Sequence, residues 1–341
     1  MRGLFLISIV KIVCTIIGTF IGAGFASGKE IYLFFYKYGM AGTLGIIISS
    51  VIIGYIIFKV IIISKKNKIE NYDEFLDYIL KNEYLKICIK NVIDLFLIIS
   101  FCVMISGFCA FMNQEFNINF IFSYILILSC CNFILKKNVS GIIKINNVVI
   151  PIIIFIILFI SFKKIDLNLN IIKNIDNKFN INFIFSSILY ANYNLLTVIP
   201  IIITINKFAK NKKQIKSIGI LSAGIICALS LCIYFILAQS NDYIRSLDMP
   251  VVFIVGGYGN IYKYIYCLII GTAIFTTAIS VGYGYLQKFE NIPKKYNRKI
   301  ILLIICAVLS IPIGFSKLVE VLYPIFGFLG LVQSFYIIRM H

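Results

Sequence analysis

The chain has 341 residues, of which 60% are hydrophobic and 13% are charged, and its mean hydropathy is +0.97. A soluble domain of this composition would have too little polar surface to cover its core. Apolar runs recur at intervals suited to membrane spans of about 20 residues, and the short alternating segments of an outer-membrane barrel are not seen. We therefore expect an all-α polytopic membrane protein with a single membrane domain over 1–341.

The formal net charge of +18 is better explained by membrane topology than by nucleic-acid binding. Most lysines and arginines lie in short connections such as 64–68, 206–216 and 293–299, and such segments stay in the cytoplasm. We predict that both termini are cytoplasmic, in a bacterial cytoplasmic membrane, and that nucleic acid is not a partner. The 163–181 segment carries four lysines on the predicted outer side and is the one poor fit.

The sequence offers few groups for metal binding or catalysis. Its ten cysteines lie almost all in apolar runs without a CxxC spacing, and the single histidine is His341. We expect no zinc, haem or other cofactor and no enzymatic activity, because a catalytic constellation is also missing. The adjacent Cys130 and Cys131 leave a redox or metal role open.

The apolar runs predict ten spans, in two groups of five. They are 4–37, 40–63, 88–114, 118–135, 143–162, 182–206, 215–238, 257–286, 299–313 and 317–338. Between them, 69–82 has apolar residues at helical spacing, which predicts a helix at the cytoplasmic surface. The 241–260 segment, with Pro250 and a glycine pair, predicts an outer lid. A plain surface loop is the alternative for each of these two segments.

The first span contains an unusual run of small residues followed by two charges, "GTFIGAGFASGKE" over 18–30. A continuous helix over 4–37 would be about 50 Å long, whereas the hydrocarbon core is about 30 Å thick. We predict an unwound stretch over 22–28, whose free backbone groups bind substrate. The predicted substrate-binding residues here are Gly22, Ala23, Gly24, Phe25, Ala26 and Ser27.

Helix packing is the alternative explanation for these glycines, because they form two GxxxG pairs. The pairs are offset by two residues, about 200° around a helix, so they would lie on opposite faces. A single packing seam would use one face. The offset favours the unwound site.

Polar residues in the sixth and eighth spans predict further ligands. Tyr190, Asn192, Tyr193 and Asn194 lie mid-span, which favours a second unwound segment or a substrate contact, with interhelical hydrogen bonding as the alternative. Ala273, Thr276 and Thr277 lie at i, i+3 and i+4. Their oxygens suit Na⁺, and threonines that bond back to their own helix are the alternative. Lys29 and Glu30 are candidates for a gate or a proton carrier, and pairing with other helices is the alternative.

Three motifs resemble a known family: "GTFIGAGFASGKEIYLFFYKYG", "YANYNLLTVIPII" and "LVEVLYPIFGFLGL". Together they resemble the YkvI-type family of uncharacterised bacterial membrane proteins, distantly related to the amino acid–polyamine–cation superfamily. Lys29 stands where that family would have Gln.

The resemblance implies a LeuT-type fold of two inverted five-helix repeats, 4–162 and 182–338, with discontinuous first and sixth spans. It also implies a sodium site. Its residues would be Gly18, Ile21, Ala273, Thr276 and Thr277.

These features predict a secondary active transporter of a small solute, amino acid or amine-like, coupled to Na⁺ or H⁺ through alternating access. A membrane sensor or accessory protein that binds without transporting is the alternative. Its signalling feature would be the 69–82 helix. The predicted partners are the small-molecule substrate and the lipid bilayer.

Overall fold

The computed structural model describes residues 2–136, 142–164, 181–205, 209, 211–238, 246–289 and 292–340. Most of the lysine-rich 163–181 segment lies outside the described residues, as do residues 241–245 of the predicted lid. The described part of the chain is helical throughout, with short turns between the helices.

Fourteen α-helices are described. They are α1 (Arg2–Phe20), α2 (Ala23–Ser27), α3 (Lys29–Phe34), α4 (Ala41–Lys66), α5 (Tyr72–Ile79), α6 (Glu83–Phe116), α7 (Phe120–Leu135), α8 (Ile142–Lys164), α9 (Asn182–Ile205), α10 (Lys212–Leu237), α11 (Pro250–Gly256), α12 (Asn260–Leu286), α13 (Pro293–Leu309) and α14 (Phe315–Arg339). Within the described residues, six are long and apolar enough to cross a membrane: α4, α6, α9, α10, α12 and α14.

Asparagine side chains begin several of these helices. Asn71, Asn82, Asn119 and Asn211 each accept a hydrogen bond from a backbone N–H of the first turn, at 2.8–2.9 Å. Such caps satisfy donors that have no partner inside the helix. The asparagine-rich connections therefore fix where α5, α6, α7 and α10 begin.

The bundle is held by close crossings of small residues. Gly54 of α4 and Gly219 of α10 face each other, and a Cβ on either would lie 2.8–2.9 Å from the carbonyl oxygen of the other. Gly327 and Gly330 of α14 approach carbonyl oxygens of α9 in the same way, at 2.5 Å. Because lipid supplies no hydrophobic drive between helices, such close backbone packing is what holds membrane helices together.

The sixth predicted span is one continuous helix, α9, so the expected break there is wrong. The side-chain N–H groups of the two asparagines bond within the helix itself. Asn192 donates to the Ile188 carbonyl oxygen at 2.7 Å, and Asn194 donates to the Tyr190 carbonyl oxygen at 3.0 Å. The helix also contains no glycine, and its one proline, Pro200, lies beyond the asparagines.

The predicted surface helix is present as α5, and its apolar face packs into the bundle. Phe75, Leu76 and Ile79 are buried, and the Tyr72 hydroxyl accepts a hydrogen bond from Gln333 of α14 at 2.7 Å. On the polar face, Asp77 forms an ion pair with Lys86 of α6. The helix is therefore docked on the protein at both faces.

The glycine crossing predicts a position-specific effect on stability. Gly219→Ala should lower the thermal unfolding midpoint, because its Cβ meets the Gly54 carbonyl and overpacking costs about 1–3 kcal/mol. Gly224→Ala on the same helix is the matched control, since nothing lies within 4 Å of a Cβ there. Thermal unfolding of the purified variants measures both. Equal midpoints for the two would contradict the crossing.

Candidate functional site

The first predicted span is interrupted in two places. Ile21 and Gly22 lie between α1 and α2, and Gly22 is extended with φ −102° and ψ −171°. Between α2 and α3, Gly28 has φ +84°, a left-handed conformation that favours glycine. The predicted interruption of this span is present, and the unwound part is shorter than the predicted 22–28.

Side chains of two other helices bond to the interrupted backbone. From α12, the Thr277 hydroxyl donates to the Ile21 carbonyl oxygen at 3.0 Å, and the Tyr266 hydroxyl donates to the Ala26 carbonyl oxygen at 2.8 Å. From α6, the Met104 sulfur accepts the Ala23 N–H at 3.3 Å. Irregular backbone at membrane depth is tolerated where protein surrounds it in this way.

The five predicted ion ligands are only partly brought together. Thr277 bonds directly to Ile21, so the first and eighth predicted spans meet at the break. Thr276 instead donates to the carbonyl oxygens of Thr272 and Ala273 on its own helix, at 2.9 and 3.2 Å. Gly18 is buried one turn before the break.

The Glu30 side chain folds back over α2. Its carboxylate accepts hydrogen bonds from the Tyr193 hydroxyl and from the backbone N–H of Phe25. A Cβ on Gly24 would lie 2.7 Å from Glu30 Cγ and nearer still to a carboxylate oxygen. Only glycine at this position leaves room for the carboxylate.

Aromatic rings from three helices surround this carboxylate. Phe34, Tyr193 and Tyr323 form a stack, with centroid distances of 5.5 and 4.7 Å. Tyr190 meets both Phe34 and Tyr193 edge-on, at 5.3 and 5.5 Å. Tyr190 and Tyr323 also lie within electrostatic range of Glu30.

The predicted residues of α9 divide into two kinds. Tyr190 and Tyr193 are buried beside Glu30. Asn192 and Asn194 bond back to their own helix, although Asn192 Oδ1 is buried and has no hydrogen-bond partner among the described residues. The two tyrosines therefore join the candidate site directly.

Lys29 and Glu30 have separate surroundings. The Lys29 side chain is 2% exposed, and its Nζ donates to the Leu247 carbonyl oxygen at 3.2 Å and lies 3.7 Å from the Glu320 carboxylate. It thus joins α3 to α14 and to the segment 246–249, which precedes α11. We call 246–249 the strap.

Two further helices bond to the strap. Ser316 of α14 donates to the Asp248 carboxylate. Gln114 of α6 both accepts from the Met249 N–H and donates to the Met249 carbonyl oxygen, at 3.0 and 3.2 Å. The strap is therefore joined to α3, α6 and α14 at the predicted outer end of the bundle.

The helix α11 closes the bundle just beyond the strap. Val251, Val252 and Val255 are fully buried, and a Cβ on Gly28 would lie 2.5 Å from Val251 Cγ2. The described part of the predicted lid is therefore a short buried helix that packs on the second interruption. A plain surface loop is ruled out for 250–256.

Sequence reasoning missed four residues that contact the site. Phe34, Met104 and Tyr266 carry no local signal, because each looks like an ordinary residue of an apolar helix. Tyr323 had a signal: it precedes a mid-span proline, Pro324, in the "LVEVLYPIFGFLGL" motif.

Two curated relatives match over nearly the full chain, whereas no protein-family model matches it. The Bacillus subtilis (strain 168) protein named "Uncharacterized membrane protein YkvI" is 26% identical over 318 residues, covering 92% of this chain and 91% of that protein. "Uncharacterized protein YyaD" of the same organism is 26% identical over 326 residues, covering 93% and 92%.

A solved transporter has a similar fold. The crystal structure of the Eremococcus coleocola manganese transporter, in complex with an aromatic bis-isothiourea substituted compound, matches with a TM-score of 0.58. The match covers 98% of this chain and 78% of that chain at 12% identity, which shows a common fold. The long apolar helices and the name of the first relative support a multi-pass membrane protein, and the fold is shared with that transporter.

The buried lysine predicts how the strap is held. Lys29→Met should increase amide hydrogen exchange over 246–256 by about tenfold, because a hydrogen bond to a charged group contributes about 1.5–3 kcal/mol. Lys37→Met, at an exposed lysine, is the control. Unchanged exchange in Lys29→Met, measured by mass spectrometry in detergent, would contradict this role.

Proposed function

We propose that this protein is a secondary active transporter of a small solute, amino acid or amine-like, coupled to Na⁺ or H⁺. The observation that carries the proposal is the interrupted first span, whose Ile21 carbonyl is bonded to Thr277 of α12. Transporter sites are commonly built from such discontinuous helices near the middle of the bilayer. The common fold with a manganese transporter supports the same class of function.

We further propose two inverted repeats, over 4–162 and 182–338, on a LeuT-type plan. Support comes from the contacts between corresponding helices of the two halves. The second spans of the two halves, α4 in the first and α10 in the second, pack on each other. The third spans of the two halves, α6 and α12, do the same. The reciprocal Gly54–Gly219 contact is what a pseudo-two-fold axis between the halves would produce.

An organic solute suits the candidate site better than a divalent metal such as manganese. Among the described residues, no group of three or more His, Cys, Asp or Glu side chains gathers. Manganese sites in proteins rely on carboxylate, carbonyl and water oxygens. Here a single carboxylate, Glu30, is surrounded by aromatic rings.

The strap and α11 fit alternating access. They cover the predicted outer end of the bundle through contacts to α2, α3, α6 and α14. We propose that this end opens when those polar contacts break, while the opposite end closes. A sensor that binds without transporting would use the same site, so vesicle uptake separates the two functions.

Uptake into proteoliposomes tests transport directly. The reconstituted protein should accumulate a labelled amino acid or amine from a panel against its gradient when a Na⁺ or pH gradient is imposed. Gly24→Ala should abolish this uptake, because the new Cβ displaces Glu30. Gly224→Ala should retain it. Ligand binding without accumulation would support the sensor and contradict the transporter.

The coupling ion has its own test. If Na⁺ drives uptake, Thr277→Val should remove the sodium dependence, because the hydroxyl at the Ile21 carbonyl is lost. Thr272→Val is the matched control, since its hydroxyl bonds only within α12. Sodium dependence that survives in Thr277→Val would place the ion elsewhere, and uptake driven by a pH gradient alone would assign the coupling to protons.

A further inference from the structure

The Glu30 carboxylate is buried without a neutralising charge in the described part of the chain. It is 3% exposed, and its two described donors, the Tyr193 hydroxyl and the Phe25 N–H, are both neutral. None of the salt bridges among the described residues includes Glu30. Carboxylates at membrane depth are costly unless paired, and they mark sites of ligand or ion binding.

The side chain of the neighbouring Lys29 contacts a different part of the protein. Lys29 Nζ contacts the Leu247 carbonyl and Glu320 at the strap. Glu30 points the other way, over Gly24 and towards α9. Although Lys29 and Glu30 are adjacent in the sequence, their charges therefore do not neutralise each other.

The carboxylate retains capacity for more donors. An ionised carboxylate offers about four lone-pair sites, and the described donors use two of them. The Glu30 oxygens also have no freedom to turn into water, because the side chain lies between α2 and the ring stack. A ligand with N–H donors and a positive charge would both fill the free lone pairs of the carboxylate and neutralise its charge.

A further buried hydroxyl near this carboxylate belongs to Tyr190. Tyr190 is fully buried within electrostatic range of Glu30. Its hydroxyl faces Ser230 of α10, and the contact between the two falls short of full hydrogen-bond geometry. Buried polar groups are nearly always hydrogen-bonded, so this hydroxyl retains capacity for a ligand.

The aromatic stack favours a cation that carries N–H donors. Each face of the Tyr193 ring is covered, by Phe34 on one side and Tyr323 on the other. The polar edge of the stack, where the Tyr193 hydroxyl meets Glu30, is therefore the part that a ligand's charged group would meet. A primary ammonium has three N–H donors for oxygens at such an edge. A quaternary ammonium has none.

We propose that Glu30 is the anchor for the primary ammonium group of the transported solute, with Tyr190 and Tyr193 beside it and Tyr323 against its hydrocarbon part. This inference rests on the proposed transport function and names its substrate class, a primary alkylamine or a solute that carries that group. Gly24 belongs to the same site, because it is what lets the carboxylate lie over α2.

Calorimetric titration of the purified protein with butylammonium chloride at constant ionic strength tests the proposal. Wild type should show saturable binding of butylammonium and none of 1-butanol, which has the same chain without the charge. Tetramethylammonium should bind at least tenfold more weakly, since it has no N–H donor. Equal binding of all three compounds, or of none, would overturn the proposal.

Matched variants locate the binding. Glu30→Gln should weaken butylammonium at least tenfold, whereas Glu115→Gln should leave it unchanged. Glu115 is also buried, and it is already paired with Lys263 at 3.0 Å. Tyr323→Phe should bind like wild type and Tyr323→Leu should bind more weakly, which keeps the test valid if Glu30→Gln does not fold. Full affinity in Glu30→Gln would overturn the assignment.

The proposal and the transport function can fail separately. Uptake of another solute into vesicles, without butylammonium binding, would overturn the ammonium site and leave the transporter. Butylammonium binding that depends on Glu30, without uptake of any amine or amino acid, would leave the ammonium site and contradict transport.

Discussion

Backbone that leaves the helix inside an apolar bundle has N–H and carbonyl groups that lipid cannot satisfy, at several kcal/mol for each group. The Ile21–Gly22 interruption creates this requirement, and side chains from α12 and α6 meet it. Those two helices must therefore pack against α2 and against each other, as they do. The candidate site lies beside the point where these helices satisfy the interrupted backbone.

The two charged side chains that follow the interruption point in opposite directions. Glu30 turns inward to Tyr193 and the ring stack, whereas Lys29 turns to the strap. Gly28 makes this possible, because its left-handed conformation redirects the chain between α2 and α3 and leaves room for Val251. The proposed ligand site and the strap thus meet at consecutive residues.

The helices and the first interruption were predictable because their signals are local: long apolar runs, and small residues where a span is too long. The same kind of reasoning failed for α9. Polar residues in mid-span indicated a break, but Asn192 and Asn194 donate their side-chain N–H groups to carbonyl oxygens of the preceding turn. The partners Met104, Tyr266 and Phe34 are distant in the chain or lack a pattern, and only packing reveals them. Spacing also could not show that Thr277 reaches Ile21 while Thr276 bonds back to its own helix.

The most direct measurement is a cryo-electron microscopy map of the protein in nanodiscs, bound to an antibody fragment, with and without saturating butylammonium. We expect an interrupted first span at Ile21–Gly22 in both maps. We also expect added density, with butylammonium only, between the Glu30 carboxylate and the Tyr190 and Tyr193 hydroxyls. A continuous helix across Ile21–Gly22, or ligand density away from Glu30, would contradict the proposed site.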